Sequence, residues 1–198
     1  AYIREEGKAG RIGAQLMAVV AEGDRRRIYL APTPEHERAA DIRIPENVPD
    51  TELPDAALGF RVQGYGMRRH SDLFTPRQLL ALTTFSDLVR EARELVRIDA
   101  MAAGMDSDPR GLEAGGTGAA AYADGVAVYL AFATSKLADW SSSVCSWISP
   151  IEGVRDTFAR QAISMVWDYT EIAPLSSSVG NWANHVEWVS RALETTPV

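Results

Sequence analysis

Two long stretches of this chain repeat apolar residues at the spacing of an α-helix. The first follows Thr75, a good N-cap, with Pro76 at the first helical position and Gln78 completing a capping-box pattern. Its apolar positions form one wide stripe opposite a charged face: Leu82, Phe85, Leu88, Val89, Ala92, Leu95 and Val96. Gly104 ends the stretch. The pattern predicts a helix over residues 75–103 that is about 42 Å long.

The second stretch predicts a helix from about residue 119 to residue 144. Its apolar positions also step by three or four residues: Tyr122, Val126, Tyr129, Ala133, Leu137, Trp140, Val144 and Trp147. We expect the two stripes to face each other in an antiparallel helical hairpin. Residues 104–118, with five glycines, predict a partly disordered linker between the helices. Ser141, Ser142 and Ser143 predict a bent or frayed helix end.

Shorter elements are predicted elsewhere. Residues 15–21 and 27–31 are β-prone runs around a turn and indicate a β hairpin. Thr33 and Pro34 begin a short helix that ends at Ala40. The remaining predictions are an acidic, proline-rich extended arm (41–59), a helix capped by Ser149 (150–162), an extended run (163–169), a serine-rich loop (174–180) and a helix capped by Asn181 that ends near Leu193.

These elements predict a mainly α (α+β) fold: a long antiparallel helical hairpin with additional helices and a small N-terminal β hairpin. A chain of 198 residues is long enough for one domain or two small ones. If it divides, we expect residues 1–71 to hold the β hairpin and arm, and residues 72–198 to form the helical region. Cys145 is the only cysteine, which rules out an internal disulfide and fits a reducing cytoplasm.

Charge is distributed unevenly along the chain. The net charge is −7, which argues against a general nucleic-acid-binding surface. Residues 1–100 carry 15 basic and 16 acidic side chains, whereas residues 101–198 carry 5 and 11. Eighteen of the twenty basic residues are arginine, which suits bidentate contacts with phosphate but also follows from the codon usage of a GC-rich genome.

The most basic window surrounds the start of the first long helix. It contains Arg61, Arg68, Arg69, His70 and Arg77 against a single acid, Asp72. Arg77 falls in the first helical turn, where the helix dipole attracts anions. Two interpretations remain open: these arginines bind DNA phosphates, or they pair with the acidic arm and the acidic second half. The same two possibilities, phosphate contact or solvated turn, apply to Arg25, Arg26 and Arg27.

Few residues in the sequence indicate a metal site or a catalytic group. Asp106, Asp108, Gly111 and Glu113 do not complete a calcium loop, since Arg110 and Thr117 stand at ligand positions. His36, His70 and His185 are far apart in the sequence, and no metal site is expected. Asp168 and Glu171 are single acids in an apolar context. Each is either a functional carboxylate or a buried acid paired with an arginine.

Three segments resemble the central region of the large adenine-specific DNA methylases that carry a zinc ribbon. Residues 72–82 read DLFTPRQLLAL and carry the strongest resemblance. Residues 158–171 read FARQAISMVWDYTE and are followed by Gly180-Asn181-Trp182; this run resembles the one ahead of the family's catalytic segment, although Ala159 and Ser164 replace its usual Gly and Pro. Residues 6–13, EGKAGRIG, resemble the segment after the zinc ribbon.

The resemblance implies that this chain is the middle of a larger methylase. A zinc ribbon and a glycine-rich S-adenosylmethionine motif would precede Ala1, and an Asp-Pro-Pro-Tyr motif, which holds a flipped base, would follow Val198. The only Asp-Pro here is Asp108-Pro109, followed by Arg110. No residue is therefore carried over as catalytic, cofactor-binding or metal-binding, and S-adenosylmethionine and zinc are expected only in the parent protein.

Within such a parent, we expect this segment to be a non-catalytic, DNA-facing insertion for target recognition. The candidate DNA contacts are Arg68, Arg69 and Arg77, with Arg160 and Gln161 as weaker candidates. The expected partners are DNA and the remaining domains of the methylase, with no membrane. The alternative is a structural helical insert or an oligomerisation module without direct DNA contact.

Overall fold

The computed structural model describes residues 1–57, 59–178 and 180–196 and is mainly α-helical. The helices are α1 (Tyr2–Lys8), α2 (Pro34–Ala40), α3 (Pro76–Ala102), α4 (Ala119–Trp140) and α5 (Trp182–Thr195). The strands are β1 (Val19–Glu22), β2 (Arg27–Leu30), β3 (Trp147–Ile148) and β4 (Gly153–Val154). Single 3₁₀ turns lie at Val62–Tyr65, His70–Leu73 and Ser149–Ile151. The predicted fold class is confirmed.

The chain divides into two compact units, each built from two segments. The first unit contains Ala1–Leu80 and Asp139–Ile172, and the second contains Ala81–Ala138 and Ala173–Val198. Residues 139–172 therefore belong with the N-terminal part of the chain, whereas the sequence pattern grouped them with the long helices. The cause is packing, because Val144 and Ile163 are buried against Leu53, Val62 and Leu73.

Three of the four predicted helix caps are formed, and the one at Ser149 is not. Thr75 Oγ1 accepts the Gln78 N–H at 3.3 Å, and Gln78 Oε1 accepts the Thr75 N–H at 2.9 Å, which is a complete capping box. Thr33 accepts the His36 N–H at the start of α2. Asn181 Oδ1 accepts the Asn184 N–H at 2.8 Å and caps α5.

In the first unit, β1 and β2 form the predicted antiparallel hairpin, with Val19 opposite Leu30 and Glu22 opposite Arg27. Its loop is closed by a hydrogen bond from the Gly23 N–H to the Arg26 carbonyl at 2.8 Å. The predicted arm has no helix or strand in its described residues, but it is not purely a surface feature. The side chain of Leu53 is 3% exposed and belongs to the core.

The helix predicted over residues 150–162 is wrong. One 3₁₀ turn ends at Glu152, which adopts a left-handed φ of 47°, and the chain then reverses into β4, which pairs with β3. Beyond β4, the Thr157 N–H donates to the Asp139 carbonyl and the Phe158 N–H donates to the Asp139 carboxylate. Because these N–H groups donate to Asp139, they are not available for the hydrogen bonds within a helix.

In the second unit, α3 and α4 run antiparallel, as predicted. Arg93 forms an ion pair with Asp124 at 2.5 Å. Trp182 of α5 stacks on Phe85, with ring centroids 5.1 Å apart, and donates its indole N–H to Thr134 Oγ1 at 3.3 Å. Residue 93 is therefore level with residue 124, and residue 85 is near residue 134, so the two helices run in opposite directions.

The buried faces of these helices coincide with the predicted stripes only in part: Phe85, Val89, Ala133 and Leu137 are shared. On α3, Phe85, Val89 and Ala100 are buried, whereas Leu88 and Leu95 are 48% and 62% exposed. On α4 the buried face is mostly alanine, and Tyr122 and Tyr129 are exposed; the buried positions include Ala119, Ala123, Ala133 and Leu137. Alanine is small enough to be buried at these positions, whereas the larger tyrosines remain exposed. α4 ends at Trp140, just before the three serines.

The glycine-containing segment between α3 and α4 is hydrogen-bonded rather than free. The Leu112 N–H donates to Asp124 Oδ2 at 2.8 Å, and the Gly116 N–H donates to the Gly111 carbonyl at 3.0 Å. Asp108 and Arg110 form an ion pair at 2.8 Å. The same aspartate of α4 therefore holds both α3, through Arg93, and this loop.

Candidate nucleic-acid interface

Arg68 and Arg69 lie on a stretch of backbone that is held from two sides. Asp72 Oδ2 accepts the backbone N–H of Arg68 at 2.7 Å and that of Arg69 at 2.8 Å. On the other side, the Leu53 N–H donates to the Arg68 carbonyl and the His70 N–H donates to the Thr51 carbonyl. The only acid of the basic window thus binds backbone, and the two arginine side chains extend from a defined frame.

Both of these arginine side chains are exposed. Glu52 lies opposite Arg69 in an isolated β-bridge, yet within residues 1–57, 59–178 and 180–196 no ion pair joins either guanidinium to a carboxylate. His70 differs, because its Nδ1 lies 3.1 Å from Thr51 Oγ1. The guanidinium groups of Arg68 and Arg69 are therefore accessible to an external anion.

Arg77 makes its contacts within the chain. Its Nε and Nη2 donate to the two oxygens of Glu171 at 2.9 and 2.7 Å, and its Nη1 donates to the Ala40 carbonyl. Thr75 Oγ1 donates to the same carboxylate at 2.8 Å. The Glu171 carboxylate thus lies beside the start of α3, where the sequence suggested an external phosphate. Of the two interpretations of Glu171, the acid paired with an arginine is the observed one.

Electrostatics at this pair follow from partial burial. Burial favours the neutral form of Arg77, but its hydrogen bonds and charge interaction with Glu171 outweigh this and raise its pKa above the ordinary value. Tyr169, nearby, has a raised pKa because of burial first and the Glu171 charge second. Asp168 is exposed, unlike Glu171.

Arg160 and Gln161 are also exposed and lie in the first unit. The Arg61 N–H donates to the Ile163 carbonyl at 2.8 Å, and Gly59 packs directly on Ala162. This packing brings Arg160 and Gln161 beside the stretch that begins with Arg61, itself exposed. Four of the five predicted contact residues are therefore exposed to solvent within one unit. The fifth, Arg77, makes its hydrogen bonds within the chain, to Glu171 and Ala40.

Sequence reasoning missed an aromatic cleft in the first unit. Its lining includes Tyr2 and Arg4 of α1, together with Tyr65 and Trp167, and its volume is about 540 Å³. The Arg4 guanidinium lies 5.5 Å from the centroid of the Tyr65 ring, and Tyr65 meets Trp167 edge to face at 5.5 Å. No local pattern marks this site, because Arg4, Tyr65 and Trp167 are separated from one another by more than 60 positions along the chain.

Cys145 is fully buried and has no reactive character. Its thiol donates to the Arg155 carbonyl at 2.6 Å, and burial raises its pKa to about 11. A thiol with so high a pKa is almost entirely protonated at neutral pH and is a poor nucleophile. Within the described ranges, no group of three or more His, Cys, Asp and Glu side chains is arranged to hold a metal ion.

Comparisons with known proteins found no match: no family model, no curated protein and no solved structure resembles this chain significantly. A search of the helices in the described part of the chain found none with the length and apolar character needed to cross a membrane.

Proposed function

We propose that this chain is the non-catalytic central part of a larger S-adenosylmethionine-dependent DNA adenine N6-methyltransferase, and that its first unit contacts DNA. The observation that carries the DNA contact is the pair of exposed arginines, Arg68 and Arg69, on a backbone held by Asp72 and by the arm. The resemblance of residues 72–82 and 158–171 to the methylase family supports the choice of parent enzyme.

The chemistry of these side chains suits a phosphate backbone. A guanidinium donates paired hydrogen bonds to phosphate oxygens, and a fixed main chain lowers the entropy lost when the side chain binds. Arg160 adds a further charge, and the amide of Gln161 is able to hydrogen-bond a phosphate or a base edge. With a net charge of −7, the contact is local rather than spread over the surface.

Arg77 has a different role in this proposal. Its guanidinium ties α3 to Glu171 and to the end of α2, so it holds the arginine-bearing segment in place without reaching the ligand. Replacing Arg77 by Ala should therefore lower stability more than it lowers the salt dependence of DNA binding.

The test is duplex DNA binding at several salt concentrations by the wild type and by the Arg68→Ala/Arg69→Ala variant. Each phosphate contact contributes about 0.9 to the slope of log affinity against log salt, so losing two lowers the slope by about 1.8. The matched control is Arg90→Ala/Arg97→Ala, which removes the same charge from α3 in the second unit. Equal affinity and equal slope for the wild type and a folded Arg68→Ala/Arg69→Ala variant would overturn the DNA contact.

A second candidate function is a structural or oligomerisation role for the helical hairpin. Leu88 and Leu95 are two turns apart on α3, and Tyr122 and Tyr129 are two turns apart on α4. The pairing of Arg93 with Asp124 brings Leu95 level with Tyr122, and all four side chains are exposed. We infer that they form one exposed apolar face together with Phe132, which is exposed and meets Tyr129 edge to face.

An exposed apolar face of this kind is typical of an interaction surface. Sedimentation at increasing protein concentration tests this role. Association by the wild type that is abolished in a Leu95→Lys/Phe132→Lys variant would support it. A wild type that stays monomeric would leave the hairpin without a role in self-association.

A further inference from the structure

We propose that the cleft lined by Tyr2, Arg4, Tyr65 and Trp167 binds an unstacked nucleobase, with Trp167 as the stacking platform and Arg4 as the contact for the adjoining phosphate. The inference rests on the proposed function in one respect, namely that the first unit meets nucleic acid. It concerns different residues, and it concerns single-stranded rather than duplex nucleic acid.

The cleft is built on direct backbone contact between α1 and the turn at Val62–Tyr65. Gly66, with a φ of 96°, faces the Gly7 carbonyl, and a Cβ at Gly66 would overlap it. A Cβ at Gly7 would likewise overlap the Tyr65 carbonyl. Because the two backbones meet at glycines, the positions of Arg4 and Tyr65 are set by main-chain packing rather than by flexible side chains.

The aromatic side chains are arranged so that one flat surface stays open. Tyr65 meets Trp167 at an interplanar angle of 85°, so the edge-to-face contact fixes the indole without covering both of its faces. Trp167 is 58% exposed, and Tyr2, which also lines the cleft, is exposed as well. A large exposed aromatic side chain held in one orientation is the usual platform on which a base stacks.

Arg4 gives the cleft its selectivity for a nucleotide over a purely apolar ligand. Its guanidinium stands 5.5 Å from the Tyr65 ring, and the side chain is exposed, so its donors are available to an anion at the cleft mouth. A volume of about 540 Å³ lies within the range of small-molecule sites and accommodates a nucleotide. A base stacked inside a duplex offers no free face, so the ligand is single-stranded or extruded.

The experiment is a fluorescence titration of the whole chain with a short oligothymidylate, with its RNA counterpart oligouridylate, and with duplex DNA of the same length. We expect the single strands to quench part of the tryptophan emission. Trp167→Ala should remove that quenching and weaken binding by about 5- to 100-fold, the range for loss of one stacked base. Trp167→Phe should retain intermediate affinity, and Arg4→Met should reduce the salt dependence of single-strand binding.

Trp188→Phe is the matched control, because Trp188 is an exposed tryptophan of the second unit and should leave the affinity for single strands unchanged. Equal affinity for the DNA and RNA strands indicates recognition of base and phosphate alone, while a preference identifies a contact to the sugar; both outcomes support the site. Absence of quenching by either strand, or unchanged single-strand affinity in folded Trp167→Ala, would overturn the proposal.

The two proposals fail separately. Loss of duplex binding in the Arg68→Ala/Arg69→Ala variant, with single-strand quenching intact, supports both. Duplex binding that is insensitive to Arg68 and Arg69, together with quenching that depends on Trp167, refutes the phosphate interface and leaves the cleft standing.

Discussion

Glu171 accepts hydrogen bonds from Thr75 and Arg77 at the start of α3. A carboxylate near a helix N-terminus interacts favourably with the helix dipole, and here it also compensates a half-buried guanidinium. The pair joins two segments 94 positions apart in the sequence, and the second Arg77 contact, to Ala40, adds a third. Much of the order in this part of the first unit depends on one carboxylate.

Replacing Glu171 by Gln keeps the shape of the side chain and removes its charge. We expect unfolding free energy to fall by about 1–3 kcal/mol, because the charged hydrogen bonds of Arg77 are weakened. Urea denaturation measures the change. The control is Glu187→Gln, which breaks an exposed pair with Arg191 on α5 and should cost less than about 0.5 kcal/mol. Equal small effects would show that the Arg77 pair contributes no more than a surface salt bridge.

Phe85 is the residue of α3 with the clearest packing role. It is buried and stacks on Trp182 at an interplanar angle of 13°. Phe85→Ala should cost about 3–5 kcal/mol, through lost apolar burial and the cavity that is left. Leu95→Ala, on the exposed side of the same helix, should change stability by less than about 0.5 kcal/mol at low protein concentration. Similar losses in both variants would contradict the observed orientation of α3.

At the scale of elements, α1 is a short helix whose attachment depends on glycine. Gly66→Ala should release α1 from the Val62–Tyr65 turn, since the new Cβ overlaps the Gly7 carbonyl and the residue also has a positive φ. Limited proteolysis of the N-terminal residues reports the release. Gly10→Ala is the control: Gly10 has a φ of 68° but open space around it, so only the conformational cost of about 1–2 kcal/mol applies. Equal protease resistance of the wild type and Gly66→Ala would show that the contact between Gly66 and Gly7 does not hold α1 on the Val62–Tyr65 turn.

The stability of the loop between α3 and α4 should depend on pH, and the direction follows from the pKa values of two aspartates. Hydrogen bonds with Arg110 lower the pKa of Asp108 to about 2, and the Leu112 N–H, followed by Arg93, lowers the pKa of Asp124. Both folded-state pKa values lie below those of the unfolded chain, so the stabilisation is complete above about pH 4 and is lost as the pH falls through the folded-state values, which for Asp108 means about pH 2.

We therefore expect the loop to open on acidification through this window. Hydrogen exchange at the Leu112 amide, corrected for the intrinsic pH effect, should show loss of protection below about pH 4. Asp124→Asn should make protection low and nearly independent of pH. Equal protection of this amide in the wild type and in Asp124→Asn at neutral pH would mean that the carboxylate hydrogen bond does not hold the loop.

Local signals in the sequence account for the element starts but not for the packing. Thr75, Thr33 and Asn181 act within three residues of themselves, so their capping roles follow from the sequence. Glu152 is different, because its left-handed turn is stabilised by the pairing of β3 with β4 and no local rule predicts it. Ala133 and Leu137 belong to the predicted stripe of α4 and are buried, whereas the buried Ala119 and Ala123 were missed because apolar side-chain size favours the neighbouring Tyr122.

For the candidate site, too, the sequence predicts local features but not tertiary contacts. The basic window is visible in the sequence, and the exposure of Arg68 and Arg69 agrees with the role suggested for them. The engagement of Arg77 by Glu171, 94 positions away, is a tertiary contact that spacing does not reveal. The aromatic cleft is of the same kind, since Arg4, Tyr65 and Trp167 come from three separate segments.

At the scale of the whole molecule, the proposed function requires catalysis to be carried out by other domains of the parent enzyme. No residue here matches the cofactor or catalytic motifs that the methylase resemblance implies, so we expect neither methyltransferase activity nor appreciable binding of S-adenosylmethionine by the isolated chain. Titration calorimetry with S-adenosylmethionine is the measurement. Binding with a dissociation constant near 1 μM, equivalent to about −8 kcal/mol, would contradict the assignment of this segment as non-catalytic.

The buried thiol of Cys145 allows opening of the first unit to be followed by chemical labelling. Because it is the only cysteine of the chain and is fully enclosed, a thiol-specific reagent modifies it when that unit opens. The labelling rate consequently reports opening of the first unit around this thiol, in the 198-residue chain and without an added fluorophore. The second unit contains no cysteine, so its opening does not lead to labelling. A single thiol reagent therefore distinguishes opening of the first unit from opening of the second.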